Sequence, residues 1–181
     1  MKKIILLLAL AVFGAHNLDA QTKMSTKAGT IQFEASVPSF EEVKAKNENV
    51  SAILKTETGE FAALALVKGF RFKVALMEEH FNENYMESSQ FPKAVVKGKL
   101  EGFSADGISN DGSEYLLKGT ITVHGVTKPL ETKVMMKQTS GGVELQANFA
   151  LKPGDFNIEI PSIVSSKIAE DIDVSVTFQL K

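Results

Sequence analysis

Histidine and cysteine set the range of chemistry open to this chain, and both are scarce. The 181 residues hold three histidines, His16, His80 and His124, and no cysteine. Without thiolates, and with His16 inside a leader-like segment expected to be cleaved, a metal site would require His80 and His124 to meet carboxylates in space, and they stand far apart in the chain. A serine–histidine–acid triad around His124 could be assembled in many ways, and nothing selects one. There is no H-E-x-x-H, phosphate loop, dinucleotide fingerprint or nucleophile elbow. The expectation is no catalytic residue, no metal and no cofactor, and so not an enzyme.

The remaining chemistry is apolar. The chain has twelve phenylalanines, two tyrosines and no tryptophan. For any one of these residues plain core packing is the better reading. Together they allow an apolar cavity walled from several strands. The candidate wall is Phe33, Phe61, Phe70, Phe72, Phe81, Tyr85, Phe91, Ile121, Val123, Phe149 and Phe156. Asn84 and His124 are candidates for a polar mouth. Two readings of His124 stay open: hydrogen bonding through both ring nitrogens at a sharp corner, or contact with a ligand's head group.

These side chains need strands to position them. From Thr30 to Val37, Ile31, Phe33, Ala35 and Val37 alternate with polar residues, and Pro38 ends the run. Gln21 to Ala28 is polar and reads as loose. Ser39-Phe-Glu-Glu42 is worded as a capping box, which predicts about two helical turns to Lys46. Val50–Glu57 and Phe61–Val74 predict a hairpin around Thr58-Gly59, its second strand bent at Lys68-Gly69. Leu76, Met77, His80, Phe81, Asn84, Tyr85 and Ser88 fall at helical spacing and predict a surface helix with one face on the sheet. Pro92 begins the next strand, through Leu100.

Turn signals follow at Ala105-Asp-Gly107 and Asn110-Asp-Gly112. Tyr115, Leu117, Gly119, Ile121 and Val123 then share a face. Gly125 breaks that run and a second strand covers Leu130 to Lys137, so the stretch reads as strand, tight corner, strand. Ser140-Gly-Gly142 turns the chain into the alternating run Val143–Leu151. Pro153-Gly-Asp155 interrupts, and Phe156, Ile158 and Ile160 form a short apolar face. The chain ends with Ile172, Val174, Val176, Phe178 and Leu180 on one side. Eight or nine strands in one domain favour a closed antiparallel barrel or a sandwich. An eight-stranded barrel has room for side chains or one small ligand, and the sequence does not separate a filled barrel from a hollow one.

The wording Gly119-Thr-Ile-Thr-Val-His-Gly-Val-Thr-Lys-Pro129 resembles the G-(D/T)-L-T-x-H-G-V-T-(K/R)-P signature of the YceI-like family. Leu76, Asn84, Tyr85, Phe91, Pro92 and Ala94 resemble that family's helical segment ending at an aromatic–proline pair, while Val96 stands where an aromatic is frequent. The resemblance implies a small bacterial periplasmic protein of lipocalin-like fold. With the strand tally, the expected fold is an all-β, closed antiparallel eight-stranded lipocalin-like barrel with one or two short helical insertions. The implied function is a binding or carrier protein for a long apolar ligand, isoprenoid-like or another lipid, held in the barrel interior. The resemblance also admits a homodimer, for which the sequence shows no interface. The alternative is a ligand-free structural or interaction barrel of the cell envelope.

Lys2 and Lys3, the apolar run Ile4–Phe13 and Leu18-Asp19-Ala20 read as a signal peptide over residues 1–20, cleaved near Ala20, with the barrel domain over 21–181. The apolar run is too short to span a bilayer. A net charge of −2 offers no footprint for nucleic acid. An outer-membrane barrel would fit the strand count, but its aromatic girdles are missing.

Overall fold

Alternation in the sequence becomes a sheet with no free edge. The computed structural model of the chain describes residues 23–181, so the expected signal peptide lies outside the described residues. Among these, nine strands form: β1 (Lys23–Ser36), β2 (Lys44–Lys55), β3 (Glu60–Leu66), β4 (Arg71–Phe72), β5 (Lys93–Glu101), β6 (Ser113–Val123), β7 (Val126–Thr139), β8 (Gly142–Leu151) and β9 (Ile168–Leu180). The sheet order is β1-β9-β8-β7-β6-β5-β3-β2, and β1 also pairs with β2, so eight antiparallel strands close into a barrel. The two-residue β4 is added to the start of β2 through Ala45 opposite Phe72. Closure pairs the backbone groups that an open sheet would leave at its edges. Helix α1 (Ala75–His80) runs directly into one π-helical turn, Phe81–Tyr85, and α2 (Ser162–Ser165) precedes β9.

Three expectations are corrected. Residues 23–28 are strand, not loose chain: Lys23 to Thr26 pair with Lys55 to Ala52, and the Ser25 amide donates to the Lys181 carbonyl. The capping box at Ser39–Glu42 starts no helix. Ser39 takes a left-handed φ of 75°, and residues from Lys44 belong to β2. Two turns of helix are marginal alone, whereas Ala45, Asn47, Val50, Ala52 and Leu54 each bury their side chains from the strand. The long strand to Val74 is cut short, because Val67–Gly69 coil into a 3-10 turn where a bend was expected.

The barrel is filled at one end. Leu54, Met136, Val143 and Leu180 are at most 1% exposed and pack with Phe178, Leu145 and Leu100 into one cluster. Leu54→Ala, at this end, is expected to cost about 2–5 kcal/mol. Urea unfolding would measure that loss, and lipid binding toward the other end should persist in the folded fraction.

Candidate functional site

Toward the other end, the inward faces do not meet. They enclose a cavity of about 520 Å³, within the range of small-molecule sites. Its floor is Phe61, Leu100, Leu117, Val134, Leu145 and Phe178, which also belong to the packed cluster. Its walls are the inward positions of the strands: Ile31, Phe33 and Ala35 of β1, Ala63 and Ala65 of β3, Ile121 and Val123 of β6, Ala147 and Phe149 of β8, and Ile172, Val174 and Val176 of β9. Thr132 is the polar side chain buried in this wall, and its hydroxyl donates to the Asn148 carbonyl at 3.3 Å. The proton is thus occupied within the barrel, and the wall offers a polar chain little.

Four phenylalanines form one side of the cavity. The Phe33 ring lies 5.4 Å from Phe70, 5.7 Å from Phe72 and 5.4 Å from Phe81, and Phe72 lies 5.1 Å from Phe81. Phe81 is the means by which the helical insertion docks. It brings Met77, His80, Tyr85 and Met86 to the cavity, while Leu76 is 57% exposed. Glu78 ties the insertion to β4 through the Arg71 guanidinium and the Phe72 amide.

Ionisable side chains lie on exposed parts of the lining: Glu41, His80, Lys152 and Lys167. Glu170, bonded to the Lys152 ammonium, and Asp171 beside it raise that lysine's pKa above the ordinary value.

Of the eleven apolar residues expected to form the wall, ten line the cavity: Phe33, Phe61, Phe70, Phe72, Phe81, Tyr85, Ile121, Val123, Phe149 and Phe156. Phe91 is off the wall; its ring packs against the His124 ring, with centroids 4.4 Å apart. Asn84 is exposed and, like His124, is not part of the lining. Ile160 lines the cavity from the short apolar face it shares with Phe156, while Phe40, Val43, Val164 and Ile168 join the lining without a sequence signal. They sit at strand ends and in connections, where neither a period of 2 nor one of 3.6 marks a buried face.

His124 takes the corner reading. Val123 pairs with Val126, so His124-Gly125 is a two-residue hairpin turn with φ of 49° and 74°. Positive φ at both positions is the primed turn that suits a twisted hairpin. Gly125 is also required by space, since a Cβ there would lie 2.7 Å from the Phe91 ring. Pro129 stands opposite Thr120, where β7 pairs with β6 alone, so its missing amide breaks no second ladder. No cluster of three or more metal-ligating side chains occurs among the described residues.

Against known proteins, a family model described as YceI-like domain matches residues 19–180. Among solved structures, a polyisoprenoid binding domain from Saccharophagus degradans implicated in plant cell wall breakdown superposes with a TM-score of 0.74 at 15% identity, covering 88% of this chain and 96% of that one. BcnA of Burkholderia cenocepacia gives 0.68 at 13% identity, covering 84% and 94%. The YceI protein of Campylobacter jejuni gives 0.60 at 15% identity, covering 78% and 86%. None of the curated proteins matches the sequence. At these identities the likeness is one of fold.

Proposed function

Since the chain belongs to the YceI-like family, we propose that it is an exported, non-enzymatic carrier that holds one long apolar molecule, such as a polyisoprenoid, in the open part of its barrel. One observation carries this reading: a cavity with an almost wholly apolar wall, whose charged residues lie on its exposed margin. A chain buried there gains about 0.8 kcal/mol per methylene. Its polar head has no buried partner to find and stays among Glu41, His80, Lys152 and Lys167. The Saccharophagus degradans relative's description as a polyisoprenoid binding domain supports the choice of chain. Val96, in the wall where the family often carries an aromatic, leaves space for a different chain or head.

The periplasm is the proposed location, reached by way of the leader over residues 1–20. Protein purified from the native host, without added detergent, should release a long-chain lipid on solvent extraction. Native mass spectrometry should show the same mass bound one to one. Protein that carries no lipid and takes up neither a polyisoprenoid alcohol nor a fatty chain would favour the ligand-free structural barrel instead.

A further inference from the structure

We propose that His124 and Glu87 form a proton-dependent latch on the cavity, so that the grip on an apolar ligand loosens as pH rises. This rests on the carrier reading above. The His124 side chain is 10% exposed. Its Nδ1 lies 3.0 Å from the Phe156 carbonyl oxygen and its Nε2 lies 3.0 Å from Glu87 Oε2. A carbonyl oxygen only accepts, and so does an ionised carboxylate. A neutral imidazole has a single N–H and can satisfy one of the two. Both contacts together require one more proton, either on the ring as imidazolium or on Glu87, whose O–H then donates to Nε2. With either placement, the closed arrangement holds one proton more than a neutral histidine beside an ionised glutamate.

The backbone points the same way. Among the described residues four non-glycine positions have positive φ, and two of them are the partners of this bridge, His124 at 49° and Glu87 at 41°. A left-handed conformation is uncommon at glutamate, whereas histidine adopts it more readily, and at either it persists where surrounding structure imposes it. Glycine or asparagine would fit the hairpin turn at position 124 more easily.

The latch joins two parts of the cavity boundary that no strand pairing connects. Glu87 follows the helical insertion, whose Phe81, Tyr85 and Met86 line the cavity. The Phe156 carbonyl belongs to the Pro153–Phe156 turn, whose Phe156 ring is 3% exposed and lines the same cavity. Phe91, from the segment that leads away from Glu87, covers the imidazole. Glu87 is the charged group bonded to the ring. Of the other charged groups on the adjoining elements, Glu78 of the insertion is half-buried and held by Arg71 and the Phe72 amide, while Glu79 and Glu83 of the insertion, Lys93 beyond Phe91, Lys128 on β7, and Lys152 and Asp155 at the turn are exposed, with Lys152 paired to Glu170 and Asp171.

The closed form binds the additional proton, so it gains stability as pH falls and loses it as pH rises. The relevant interval is about pH 5 to 8, where an imidazole changes charge. When the proton leaves, the Nε2 lone pair faces the carboxylate, and the 43% exposed Glu87 side chain turns to water. The insertion is then released from the turn.

The test uses geranylgeraniol, an uncharged isoprenoid alcohol whose own charge does not vary with pH. Its dissociation from the full mature chain is timed at about pH 5 and pH 8. Wild type should release it roughly tenfold faster at the higher pH, the size of one charge-assisted hydrogen bond. Glu87→Gln should release slowly at both values, because its amide N–H can donate to Nε2 of a neutral ring. His124→Asn should release quickly at both. Wild-type release that does not vary with pH, or a Glu87→Gln protein that keeps the wild-type step, overturns the latch while leaving the carrier reading intact. Failure to bind this alcohol or a fatty alcohol at either pH, in protein that also carries no lipid from its host, overturns both. Imidazole nitrogen shifts give a readout independent of ligand: between the two pH values the His124 Nε2 signal should change together with the release rate in wild type, whichever partner holds the proton, and that joint change should be absent in Glu87→Gln.

Discussion

Replacing Ala147 with phenylalanine is expected to evict the ligand while leaving the barrel folded. Ala147 lies on β8 between Val134 and Val176 of its neighbours, is 6% exposed and faces the cavity. The new ring occupies space that a lipid chain would fill. Burying it against an apolar wall contributes about 1.5–3 kcal/mol. Misfit in a wall built around alanine costs about 1–3 kcal/mol. The two nearly offset, so the ligand-free variant should unfold within about 1 kcal/mol of ligand-free wild type. Binding has no such compensation. A chain shortened in the cavity by even two methylenes loses about 1.6 kcal/mol, more than tenfold in affinity. Lipid recovered from purified Ala147→Phe should therefore fall at least about tenfold. The rise in melting temperature that ligand gives wild type should fall with it. Wild-type lipid content in a folded variant would mean that the chain binds elsewhere.

The same residue shows what the sequence makes legible. Ala147 sits in the run Val143, Leu145, Ala147, Phe149, Leu151, whose period of 2 names both the strand and its inward face. β9 and the His124-Gly125 corner are legible for the same reason, since the pattern and the turn chemistry are local. The helix expected after Ser39 fails because a capping box states only what a helix would gain there. The gain from burying Ala45, Val50 and Leu54 in a closed sheet is tertiary and outweighs it. Residues 23–28 are strand because the barrel supplies Ala52–Lys55 as a partner, which composition cannot report.

For the site, periodicity names the inward positions along the strands but not the margin of the cavity. Phe40 and Val164 line the cavity from outside the strands. Phe91 is drawn away from the wall by a ring contact with His124 that only the fold creates. Filled and hollow regions share one alternation: Leu180 and Ile172 both point inward, one into packed core and one into the cavity. Which of them meets space depends on the sizes of residues on other strands.

Size also governs the larger stability effect, at Gly119. This glycine stands opposite Gly98 where β5 and β6 run against each other. A Cβ on Gly119 would lie 2.0 Å from the Lys97 carbonyl oxygen and 2.5 Å from the Gly98 Cα. Both are backbone atoms of the neighbouring strand, so no rotamer change relieves the clash. Relief requires the strands to part, and their ladder carries Leu100 opposite Leu117 and Val96 opposite Ile121, part of the core and of the cavity wall. Gly119→Ala is therefore expected to cost about 4 kcal/mol or more, a large share of a domain's total stability. Urea denaturation should read this as a lower midpoint, or expression should yield no folded protein. Gly154→Ala is the control: an added Cβ there meets nothing within 4 Å and the backbone has no positive φ. That change should be neutral or stabilise by up to about 1 kcal/mol, through the unfolded chain alone. If both substitutions shifted stability equally, close approach of β5 and β6 would not be what Gly119 supplies. A large loss at Gly119 alone would make the close approach of β5 and β6 at this glycine a requirement of barrel closure.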